Sequence, residues 1–87
     1  MPFVYILQSE KTHKYYIGST NDLKRRLTEH NSGQTQSLLH QRPLLIVFQK
    51  GYERIEDARS VEQKLKKFKS RSIIQKILSD KDIKLGP

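Results

Sequence analysis

Two runs of β-branched and aromatic residues open this sequence, Phe3-Val4-Tyr5-Ile6-Leu7 and Lys14-Tyr15-Tyr16-Ile17-Gly18, and the polar stretch from Ser9 to His13 separates them. Such side chains suit a pleated, half-buried surface, and so short a polar connection predicts a β-hairpin. The next run of this kind is Leu44-Leu45-Ile46-Val47-Phe48, directly after Pro43. Its nearly continuous apolar character predicts a central strand covered on both faces.

Helical signals fill the intervals. Thr20 or Asn21 can cap a helix beginning at Asp22, whose carboxylate suits the positive end of the helix dipole, and this helix should end near Asn31-Ser32-Gly33. A polar loop from Gln34 to Arg42 follows. The segment from Arg54 to Lys69 opens with Glu56 and Asp57 and closes with Lys66, Lys67 and Lys69, matching the dipole at both ends. Ala58, Val61, Leu65 and Phe68 recur there at helical spacing and form the expected buried stripe. Ser70 can cap a shorter helix with Ile73, Ile74 and Ile77 as its apolar side. The expected architecture is a small α/β (α+β) domain over residues 1–80, order β-β-α-β-α-α, with 81–87 as a flexible tail.

At 87 residues the chain can build only one core, so any active site must share that core's elements. The absence of cysteine excludes a disulfide framework and a cysteine-based zinc site, and it fits a cytoplasmic protein. The apolar opening from Phe3 to Leu7 is too short for a signal peptide or a membrane span. The formal net charge of +8 points to a polyanionic partner. Residues 1–40 hold five basic and three acidic residues, whereas residues 41–87 hold twelve and six. No acid occurs between Glu62 and Asp80, a gap containing Lys64, Lys66, Lys67, Lys69, Arg71 and Lys76. That run reads either as a phosphate-binding face or as a solvated helix surface.

Helix geometry singles out a few polar residues. Arg26 and His30 are four apart and flank Leu23 and Leu27, so they share the inward side, while Arg25 points about 100° away. Glu62 falls on the edge of the buried stripe of its helix. Tyr5 and Tyr16 sit in the two hairpin strands. A cation, a carboxylate and two phenols thus converge on one small core. Phosphodiester hydrolysis can use such a set: a carboxylate to hold a metal, a guanidinium to fork onto phosphate oxygens, and a phenol to orient or deprotonate water. The same residues also allow a plainer reading, in which the tyrosines are core residues and Arg26 and Glu62 form an ordinary ion pair. His13 and His40 lack ligand-like spacing and are expected at the surface.

The order and spacing of these residues resemble the GIY-YIG endonuclease domain, especially its small stand-alone bacterial members, over about residues 3–78. The second motif is present as Tyr16-Ile17-Gly18; the first appears as Phe3-Val4-Tyr5, with Tyr5 eleven residues before Tyr16 and only the tyrosine kept. The family's arginine, ten residues after the second tyrosine, corresponds to Arg26. Its metal-binding glutamate, on a helix after the third strand, corresponds to Glu62, and His30 matches a helix position that is often His or Tyr. The resemblance implies a three-stranded antiparallel sheet flanked by helices and hydrolysis assisted by one divalent metal, Mg²⁺ or Mn²⁺.

The expected function is therefore a metal-dependent endonuclease acting on nucleic acid, DNA foremost, in repair or recombination. Tyr5, Tyr16, Arg26, His30 and Glu62 form its catalytic set, with Glu62 on the metal. Arg26, Lys64, Lys66, Lys67, Lys69 and Arg71 form its nucleic-acid contacts. Which tyrosine serves as base stays open. Two rivals remain: a non-catalytic nucleic-acid-binding module, and an interaction domain whose protein partner supplies targeting.

Overall fold

A computed structural model describes residues 1–32, 42–68 and 71–83. The elements run β1 (Phe3–Ser9), β2 (Tyr15–Thr20), α1 (Leu23–Asn31), β3 (Leu44–Gly51), α2 (Ile55–Phe68) and α3 (Arg71–Asp80). The expected order β-β-α-β-α-α is the order found. The three strands form one antiparallel sheet in the order β2-β1-β3.

The centre of the sheet is β1, not the expected Leu44–Phe48 run. Val4 and Ile6 point to one face and Tyr5 and Leu7 to the other, and all four are buried. Burial of both parities is what a strand with a covered layer on each side requires. Val4 and Ile6 pack with Ala58 and Leu65 of α2, Ile77 of α3 and Ile83. Tyr5 and Leu7 pack with Leu44, and Leu23 and Leu27 of α1 lie against them. So α2 and α3 cover one face and α1 the other.

A bulge accounts for the misleading apolar run in β3. Ile6 pairs with Phe48 and Leu7 with Ile46, so Val47 is an extra residue between two consecutive partners. The bulge breaks the alternation, and neighbouring apolar residues reach different clusters: Ile46 packs on the α1 side, Val47 and Phe48 on the α2 side. Continuous apolar character here marks an irregular edge strand, and Leu45 stays exposed.

The cap of α1 also differs from expectation. Asp22 Oδ1 accepts from the Arg25 backbone N–H at 3.0 Å, while Thr20 Oγ1 accepts from the Asp22 N–H at 3.1 Å. Asp22 is therefore the capping residue and Thr20 supports it. At the other end Asn31 clips α1 to β3: its Oδ1 accepts from Leu44 N at 2.7 Å and its Nδ2 donates to Leu44 O at 3.0 Å. Gly33, the loop 34–41, Lys69 and the expected cap Ser70 lie outside the described residues. Phe68, assigned to the buried stripe, is half exposed at the last residue of α2.

Asp82 and Ile83, which fall in the stretch expected to be a loose tail, make contacts with the domain, whereas Lys81 is exposed. Ile83 is 8% exposed and belongs to the α2–α3 core, and Asp82 Oδ1 accepts from Lys50 Nζ at 2.7 Å. A lone isoleucine amid charges carries no periodic signal, which is why sequence patterning missed it. Residues 84–87 lie outside those described. No helix among the described residues is long and apolar enough to cross a membrane.

Candidate active site

Along the β2 edge runs an open cleft of about 1090 Å³, lined by Tyr5, Tyr16, Arg26, His30 and Glu62. Because no strand among the described residues lies beyond β2, side chains from both layers reach around this edge: Arg26 and His30 from α1, Glu62 from α2. The five residues singled out by sequence thus line one cleft.

Tyr5 is the anchor of the group. Its partner across the hairpin is Gly18, and the hydroxyl end of its ring fills the space beside Gly18. A Cβ at position 18 would stand 2.5 Å from the Tyr5 Cζ and 3.0 Å from Cε1. A side chain there would collide with the ring, so glycine is needed for close approach. The ring is buried, and its hydroxyl lies 3.3 Å from His30 Nε2. Burial pushes the phenol above its ordinary value of 10.0; the nearby Arg26 guanidinium opposes this and Glu62 reinforces it. Burial likewise raises the Tyr16 phenol. Burial, helped by Arg26, pushes His30 below its ordinary 6.5, while Glu29 opposes the shift. Both phenols and the imidazole are therefore neutral around pH 7.

Arg26 and Arg25 divide as the helix geometry requires. The Arg26 side chain is 44% exposed and lines the cleft; that of Arg25 is 72% exposed and does not. Both approach the Glu29 carboxylate, Arg25 at 3.4 Å and Arg26 at 3.9 Å. The plain Arg26–Glu62 ion pair is not formed. Glu62 instead accepts a hydrogen bond from Ser19 Oγ on Oε1 and pairs with Lys66 Nζ at 2.6 Å on Oε2.

The basic run splits on folding. Lys66 and Arg71 line the cleft, and the Arg71 guanidinium lies 5.2 Å from the centre of the Tyr15 ring. Lys64 and Lys67 are exposed outside it, and Lys69 falls outside the described residues. Along α2 the lining residues Arg59, Glu62, Gln63 and Lys66 follow helical spacing. Arg59 could have been found from that spacing, one turn before Glu62. Ser19 could not, because its partner is 43 residues away. His13 is exposed with φ 63° in the hairpin turn.

Glu62 is the one carboxylate among the described lining residues, and no group of three or more His, Cys, Asp or Glu side chains gathers among the described residues. A single carboxylate with open cleft beside it fits a hard cation such as Mg²⁺, which takes oxygen ligands and keeps several waters. It does not fit a multi-ligand zinc site.

The sequence model of the GIY-YIG catalytic domain matches residues 1–77. A UPF0213 protein of Streptococcus pneumoniae is 37% identical over 68 residues, 77% of this chain and 68% of its own length. One from Clostridium perfringens is 34% identical over 85 residues, covering 97% and 89%. The solution NMR structure of UPF0213 protein BH0048 from Bacillus halodurans superposes with a TM-score of 0.58 at 29% identity, over 93% of this chain and 86% of that one.

Proposed function

The chain belongs to the GIY-YIG catalytic-domain family, a family of nuclease domains, and from that premise we propose that it is an endonuclease hydrolysing phosphodiester bonds in nucleic acid, DNA foremost, with one Mg²⁺ or Mn²⁺ ion. Repair or recombination is the setting in which such an activity would serve. The observation carrying this reading is the gathering of Tyr5, Tyr16, Arg26, His30 and Glu62 on one open cleft.

Each residue has a role that its surroundings favour. Glu62 holds the ion, which when bound stabilises charge on the phosphate and on the leaving oxygen. Arg26, partly exposed toward the cleft, forks onto two phosphate oxygens as their charge grows. Tyr16, held protonated by burial, donates a hydrogen bond to phosphate or water. The Tyr5 hydroxyl takes a proton from the attacking water as it passes its own to neutral His30 Nε2, 3.3 Å away. In this reading Tyr5 is the tyrosine that receives the water's proton and His30 is its final acceptor, a choice supported by the Tyr5–His30 contact. Lys66 and Arg71 neutralise phosphates flanking the scissile one.

One observation favours a second reading, a binding module without chemistry: both carboxylate oxygens of Glu62 already have protein partners. Incubating the purified chain with labelled DNA and RNA of single-stranded, duplex and branched form, with Mn²⁺, Mg²⁺ or EDTA, tests the enzyme. Metal-dependent cleavage that Glu62→Gln abolishes, with binding retained, is the expected result. The substitution should cost less than about 1 kcal/mol of stability, because the Lys66 partner is half exposed. Binding without cleavage under every metal would replace the enzyme with the binding module.

A further inference from the structure

The two oxygens of Glu62 are held by partners of opposite character. Ser19, on Oε1, projects from β2, a strand paired with the buried centre of the sheet. Lys66, on Oε2, is one helical turn along α2 on a long side chain that is 55% exposed, against 18% for Glu62 itself. One clamp is rigid and the other is free to swing into solvent. An ammonium at 2.6 Å also places a positive charge directly against the oxygen that a cation on Oε2 would use. A divalent ion on that oxygen would be repelled by the ammonium beside it, so the two compete for the carboxylate.

We propose that Lys66 is a resident competitor for the divalent ion: it pins the Glu62 carboxylate toward the cleft in the metal-free protein, leaves when the ion arrives, and is then available to a substrate phosphate. Ser19 is the permanent positioning residue, holding Oε1 so that the carboxylate keeps its orientation during the exchange. This inference rests on Glu62 as the metal ligand. Its consequence is coupling: a polyanion that draws Lys66 away raises metal affinity, and metal that displaces Lys66 raises affinity for the polyanion by the same factor.

Calorimetric titration of Mn²⁺ into the purified chain, without substrate, tests the proposal. An exposed ion pair is weak, so Lys66→Met should tighten Mn²⁺ binding by about three-fold. Lys64→Met removes the same charge from α2 outside the cleft and should tighten it by less. Ser19→Ala should weaken binding and Ser19→Thr, which keeps the hydroxyl, should restore it. Affinity unchanged or weakened in folded Lys66→Met, or tightened equally by Lys64→Met, overturns the competitor. Wild-type affinity in Ser19→Ala overturns the positioning role. Glu62→Gln separates the two levels: if it binds Mn²⁺ like the wild type, Glu62 is not the ligand and both readings fall. If it loses binding while Lys66→Met changes nothing, only the competitor falls.

Discussion

The hydroxyl end of the Tyr5 phenol stands where a Cβ on Gly18, its partner across the hairpin, would have to go. The second motif's glycine and the first motif's tyrosine are therefore one packing unit. Gly18→Ala must push the ring aside, carrying the hydroxyl away from His30. We expect a loss of about 1–3 kcal/mol of stability, the usual cost of overpacking. Cleavage should fall by about 100-fold, as for a catalytic group displaced by an ångström. Thermal melting and a cleavage assay on the same preparation check both, and full activity in folded Gly18→Ala would place the base elsewhere.

Arg26→Lys keeps the charge but loses the planar fork, so it should stay largely inactive. Arg25→Ala, on the outer side of α1, should cleave normally and lose less than about 1 kcal/mol from its exposed pair with Glu29. Equal behaviour of the two variants in a cleavage assay would mean that the arginine on the cleft wall has no special task.

Folding separates the basic residues into those that line the cleft and those that do not, and binding should follow that division. Charge reversal at Lys66 and Arg71 should weaken nucleic-acid binding more, and lower its salt dependence more, than reversal at Lys64 and Lys67. Fluorescence anisotropy over a salt series measures both quantities. Identical losses would move the binding face to the outer surface of α2.

Because burial depresses the His30 pKa below 6.5, the unfolded chain binds a proton there that the folded chain refuses. Stability from this group is complete above 6.5 and is lost as pH falls from 6.5 through the lower folded value. Urea titrations at about pH 7.5 and about pH 5 should show a smaller loss on acidification in His30→Gln than in the wild type. Cleavage should fall over the same range, as the protonated imidazole can no longer accept from Tyr5. Parallel pH profiles of stability in the two proteins would rule out a neutral, buried His30.

Ile83 belongs to the core between α2 and α3, so Ile83→Ala should destabilise by about 2 kcal/mol, near the lower end for a buried isoleucine. Asp82→Asn, which removes a half-exposed pair with Lys50, should cost under about 1 kcal/mol. A urea midpoint unchanged by Ile83→Ala would return residues 81–83 to the tail.

What this sequence determined by itself was local and periodic. The β-rich runs placed three strands, the 3.6-residue repeat with its end signals placed α1 and α2, and helix geometry set Arg26 on the cleft side of α1 and Arg25 away from it. Motif spacing put Tyr5, Tyr16, Arg26, His30 and Glu62 together as a resemblance before any contact was known. Tertiary structure decided everything that depends on pairing across distance. Hydrophobic runs report burial but not lateral order, so only the strand register made β1 the centre and turned β3 into a bulged edge. A carboxylate at a helix edge needs partners, and several cations in the sequence could have served. Lys66, four residues after Glu62 on α2, is a partner that helical spacing encodes; Ser19 holds the other oxygen only because folding lays the β2 edge beside α2, a condition of three-dimensional distance that no spacing along the chain encodes.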